Sequence, residues 1–160
     1  MKEKLNENFA EYKKQMELGH VPKAYSGLME YMMSLRTHFK TNFEEYTVGS
    51  FYQGYMDMTY FPISTNSLHK KKLKLAIVFD HLKTQFEIWL SGQNRQIQNE
   101  YLNTTKQLEL KKGFVITKNP DSIIESIITE NPDFSDLDKL TAEIEKAVAK
   151  FIKDLTELIE

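Results

Sequence analysis

The sequence predicts an α+β fold, an antiparallel three-stranded meander packed with about five helices, and three observations carry that prediction. Between Phe51 and Gly92 the apolar residues follow the two-residue period of strands. On either side of this stretch they recur every three or four residues, as on one face of a helix. The last two strand-like runs are separated only by His81–Thr84, room for a hairpin and nothing longer, so those two strands pair antiparallel.

Leu5, Phe9, Tyr12 and Met16 line one face of a first helix that ends near Gly19. Pro22 suits the first turn of a second, where its missing N–H is no loss, and Leu28, Met32, Leu35 and Phe39 carry that helix to about Glu45. From Phe51 to Phe61 aromatic and β-favouring residues predict a first strand, closed by Pro62 because proline cannot donate to a ladder. A polar loop, Ile63–His69, leads to a second strand in which Leu73, Leu75, Ile77 and Phe79 share a face. In a third strand Phe86, Ile88 and Leu90 do the same.

Ser91 or Asn94 caps a third helix bearing Ile97, Tyr101 and Leu108, which stops near Gly113. Phe114–Thr117 can add a short fourth strand. Asn119-Pro120-Asp121-Ser122 and Asn131-Pro132-Asp133-Phe134-Ser135 both read as helix starts. The first predicts a helix with Ile123, Ile124, Ile127 and Ile128. The second predicts a final helix, with Ser135 and Asp138 as a capping box and a stripe through Leu140, Ile144, Val148, Phe151, Leu155 and Ile159.

At 160 residues the chain has the length of a single domain, residues 1–160, able to bury a core without staples. Apolar residues make up 41% and charged residues 28%, so it should fold rather than remain disordered. A net charge of −2 gives no global attraction to nucleic acid or anionic lipid, and leaves nucleic acid only a local patch to use. There is no cysteine, which excludes disulfides and thiolate chemistry. The charged start, Met1-Lys2-Glu3-Lys4, lacks the apolar core of a signal peptide, and the longest apolar run, Leu75–Phe79, is far too short for a membrane span. A cytoplasmic protein is the expectation.

The stretches GLMEYMMSLR (27–36), YQGYMDMTYF (52–61), FEIWLSGQNRQ (86–96) and NPDFSDLD (131–138) resemble a small family of uncharacterised bacterial proteins of about this length, a domain of unknown function. The resemblance implies a free-standing domain. It carries over no activity and no site residues.

One surface has an unusual make-up. Opposite the apolar face of the second and third strands lie Lys74, Ala76, Val78 and Asp80 beside Glu87, Trp89 and Ser91. One register of the first strand adds Gln53, Tyr55, Asp57 and Thr59. Such a face is either a half-covered outer surface or a site, since rigid aromatics with a few polar groups suit ligands and partners alike. The dense polar run from Gln93 to Gln96 follows at a helix start. The candidate ligand-binding residues are therefore Tyr55, Asp57, Glu87, Trp89 and Arg95.

The function predicted is a non-enzymatic binding or interaction module. Its partner is a small ligand or an unknown protein, with self-association into a homo-oligomer through the mixed face or the terminal helices. The alternative is a divalent-metal nuclease or phosphodiesterase. Its warrant is an αβββαβ element order that resembles the core of PD-(D/E)xK nucleases, with Asp57 or Asp80 and Glu87 as metal-binding acids. Against it, Trp89 stands where the motif wants lysine, and only Lys74 on the neighbouring strand offers a substitute. His20, His38, His69 and His81 have no metal-binding spacing, and the nucleotide-loop and serine-elbow motifs are absent. No catalytic residue, metal site or cofactor is predicted. The basic run Lys70-Lys71-Lys72 is read as guarding a sheet edge ahead of contacting phosphate.

Overall fold

A computed structural model describes residues 2–159, with side chains from residue 4. The chain divides into two compact units, residues 1–34 and 35–160.

The first unit holds α1 (Lys2–Leu18) and, after Gly19, the beginning of α2 (His20–Asn42), with Pro22 in its first turn as expected. The predicted stripe forms on α1, yet Leu5, Phe9, Tyr12 and Met16 remain 46–59% exposed. On α2, Leu28, Tyr31 and Met32 are buried.

The second unit continues α2 and adds β1 (Thr47–Val48), β2 (Met58–Ser64), α3 (Asn66–Lys70), β3 (Leu73–Asp80), β4 (Gln85–Gly92), α4 (Arg95–Thr105), β5 (Ile124–Thr129) and α5 (Leu137–Ile159). The strands form one sheet in chain order, β1-β2-β3-β4-β5, and every neighbouring pair is antiparallel. The α+β meander is thus present, with five strands where three or four were expected.

The central hairpin matches the sequence reading residue for residue. β3 ends at Asp80, β4 starts at Gln85, and Thr84 takes a left-handed φ of 55° in the turn between them. The run Phe51–Phe61, by contrast, is not one strand. Tyr52 and Tyr60 exchange backbone hydrogen bonds of 2.7 and 2.9 Å, so the chain doubles back between them. Gly54 makes that possible: its φ is 79°, and a Cβ there would lie 1.9 Å from the Met58 carbonyl oxygen.

Pro62 sits inside β2 rather than closing it. Its nitrogen faces β1, where the neighbour is Gly49, whose N–H donates to the Pro62 carbonyl at 2.8 Å. The return bond is impossible from a proline. Arg36 of α2 supplies it instead, donating from Nε to the Gly49 carbonyl at 2.6 Å. Residue 49 must be glycine here, because a Cβ would meet Pro62 Cγ at 2.4 Å.

The isoleucine-rich segment expected to be helical is β5. Ile123, Ile124, Ile127 and Ile128 are β-branched and lose side-chain freedom in a helix, whereas the open edge of β4 offers a ladder from Phe86 to Leu90. The short strand suggested at Phe114–Thr117 is reduced to a single bridge between Val115 and Glu125. The cap of α5 also differs. Asp136 accepts from the Lys139 N–H at 3.1 Å, while Ser135 turns back to Asp133. Lys70–Lys72 guard no edge, because β3 lies between β2 and β4. They sit at the end of α3, where positive charge suits the exposed carbonyls.

One sheet face is the core. Phe61, Ile63, Leu73, Leu75, Ile77, Phe86, Ile88 and Leu90 are at most 2% exposed. Phe39 of α2 lies 6.2 Å, ring to ring, from Phe61, and Phe134 covers Phe79 and Phe86. α5 is tied to α2 through His38 and Glu145 and buries Leu140, Ile144, Val148, Phe151 and Leu155. Each such side chain contributes about 1.5–3 kcal/mol by leaving water. No helix among the described residues is long and apolar enough to cross a membrane.

Candidate functional site

The opposite face of the sheet carries a groove of about 390 Å³. Its floor follows from strand register. Ala76 pairs with Pro62 on one side and Trp89 on the other, so a small residue lies between two large ones and the row is concave. Tyr60 and Met58 extend the wall along β2, with Tyr52 stacked 4.9 Å from Tyr60. Lys74, opposite Ser91, and the first turn of α4, with Asn94 and Arg95, form one end.

Pro120 and Asp121 of the loop 117–122 supply the second wall. This loop is fastened from both sides. Glu125 Oε2 accepts from Thr117 Oγ1 (2.9 Å), Asn119 Nδ2 (3.0 Å) and Ser122 Oγ (2.6 Å). Toward the sheet, Ser91 donates to the Asp121 carbonyl at 2.6 Å, and Arg95 and Gln98 both donate to the Pro120 carbonyl. Gln98 is 5% exposed and also accepts from the Gly92 N–H at 2.7 Å, joining β4, α4 and the loop. Asn94 is the cap of α4, accepting from the Ile97 N–H at 2.9 Å.

The five sequence-predicted residues divide. Trp89 and Arg95 line the groove. Glu87 shares the sheet face with Trp89 but is buried outside the lining, with one oxygen accepting from Trp89 Nε1 and the other from Gln85. It orients the indole and presents no carboxylate to a ligand.

Tyr55 and Asp57 belong to the turn after Tyr52 and do not line the groove. The strand register is the one that points Met58, Tyr60 and Pro62 outward and buries Thr59 on the core side. Tyr55 is 88% exposed. Asp57 accepts from the Tyr55 N–H, and this bond with that of Met58 holds its carboxyl below the ordinary value. Tyr52 beside them has its phenol raised, first by desolvation and then by the charge of Asp57.

In the adjacent turn, burial pushes His81 below its ordinary value, with Asp57 and Asp80 opposing. Thr59 Oγ1 gives its one proton to the Gln53 carbonyl, so His81 Nε2–H is the donor in the 2.8 Å contact with that hydroxyl.

Tyr60, Pro62, Gln98 and the 117–122 loop were missed. Tyr60 and Pro62 follow from the alternative register of the strand. The loop had a signal in Asn119-Pro120-Asp121-Ser122, which is the turn sequence it resembles and not a helix start.

The acids proposed for a nuclease are not assembled. Asp80 accepts from the Lys83 N–H in the hairpin turn, Asp57 closes its own turn and Glu87 is occupied by Gln85 and Trp89. Among the described residues no three His, Asp or Glu side chains are grouped to hold a metal, so the nuclease reading has no support.

A protein-family model matches the chain over residues 5–159, and its description is a domain of unknown function. No curated protein and no solved structure matches.

Proposed function

The chain belongs to that family, DUF7000, and from this premise we propose that it is a non-enzymatic binding module whose outer-sheet groove takes a small molecule. The observation that carries the reading is the groove itself. Its floor is a small residue between Pro62 and Trp89, its indole wall is held by a buried acid, and its far wall is a loop fastened by a carboxylate with three donors. Its volume lies within the range of ligand pockets, which are largely preformed, with apolar and aromatic walls and a few convergent polar groups.

The test is a fragment screen followed by ¹H–¹⁵N NMR, comparing the native chain with Ala76→Leu, which fills the floor. Fragments should shift the Trp89 indole and Ser91 and Gly92 amide resonances of the native chain and leave those of a folded Ala76→Leu variant in place. A screen in which none of these resonances moves overturns the reading.

A second reading, self-association, is favoured by the exposed apolar stripe of α1.

A further inference from the structure

Resting on the groove reading above, we infer that the ligand is an organic anion, a carboxylate or phosphate carried on a flat apolar body. Two cations mark one end of the groove. Lys74 projects from β3 opposite Ser91, and Arg95 opens α4. Among the described residues neither lies within ion-pair distance of a carboxylate, whereas Lys111 and Lys150, elsewhere on the surface, are both engaged with Asp154.

Arg95 donates to the Pro120 carbonyl at 3.2 Å, which holds the guanidinium in place and leaves its other N–H groups available. A fixed guanidinium fork matches carboxylate and phosphate oxygens. The groove also contains Asp121, so its lining holds two positive charges against one negative. The acid is on the loop wall, and the positive end of the α4 dipole adds to the cationic side.

The remainder of the groove is suited to a ring. Trp89, Tyr60 and Tyr52 offer aromatic surface along the floor and wall, and the small side chain of Ala76 leaves space between Pro62 and Trp89. An ion without an apolar body would leave that surface wet. A neutral ring would leave the one excess positive charge of the lining uncompensated.

The experiment titrates the full chain with phenyl phosphate and benzoate, with benzyl alcohol and benzamide as neutral counterparts and with inorganic phosphate, followed by ¹H–¹⁵N NMR at the Trp89 indole and the Ser91 and Gly92 amides. The aromatic anions should bind at least about tenfold more tightly than the neutral rings and than inorganic phosphate, the size of one charge-assisted hydrogen bond. Lys74→Gln, at an exposed position where folding is not at issue, should narrow the gap between anion and neutral ring, as should Arg95→Gln and added sodium chloride.

Neutral rings that bind as well as the anions would overturn this inference and leave the groove reading standing. Inorganic phosphate binding as well as phenyl phosphate would overturn the flat body. Failure of every probe to move the three resonances would count against the groove itself.

Discussion

Glu87 faces the groove side of the sheet and is nonetheless only 4% exposed, with Gln85 Nε2 at 2.5 Å and Trp89 Nε1 at 2.8 Å. Two donors meet at one side chain, and only a carboxylate can accept both through both of its oxygens. Glu87→Met should therefore destabilise the fold despite its similar length, because the Gln85 and Trp89 N–H groups both lose their acceptor. The expected loss is about 1–3 kcal/mol, the penalty for a buried polar group left unpaired, read from urea unfolding followed by circular dichroism. An unchanged midpoint would show that the pair is replaceable. The i, i+2 spacing of Glu87 and Trp89 already placed them on one face in the sequence. Their relationship was not legible, since Gln85 and the burial that turns the acid inward depend on the folded sheet.

At the scale of elements, β1 and β2 are joined by an exchange between a proline and an arginine. Pro62 withholds the hydrogen bond that the Gly49 carbonyl needs, and Arg36, arriving from α2, donates instead. Arg36→Met should orphan that carbonyl and cost about 1–3 kcal/mol. Pro62→Val in the same background restores a backbone N–H toward Gly49 and should recover part of the loss. A double-mutant cycle measures this, and strictly additive changes would show that the two residues do not share the acceptor. Sequence patterns set the β3–β4 hairpin, α1, α2 and the stripe of α5, where period and turn agree. They misplaced β2 and β5. A left-handed glycine folds Phe51–Phe61 back on itself, and β5 gains its ladder only from a strand some thirty residues earlier.

For the whole molecule, the exposed stripe of α1 bears on assembly. Leu5, Phe9, Tyr12 and Met16 form a continuous apolar face on a helix otherwise rich in charge, and Phe9 and Tyr12 meet edge-on at 6.0 Å. If this face joins two copies, light scattering should show a mass that rises with concentration. Phe9→Glu with Met16→Glu should hold the chain monomeric without changing its circular dichroism. A strict monomer for the native chain at high concentration ends the self-association reading.

The strand order has a consequence for how the molecule assembles. Because each strand pairs with its neighbour in the chain, the entropy lost in closing each pairing depends on the loop between them. That loop is shortest for β3–β4, residues 81–84, and longest for β4–β5, residues 93–123. Folding should start at the central hairpin and add β5 last. The 117–122 loop, fastened through Glu125 of β5, arrives with that strand, so the groove acquires its second wall only after the rest of the sheet has formed.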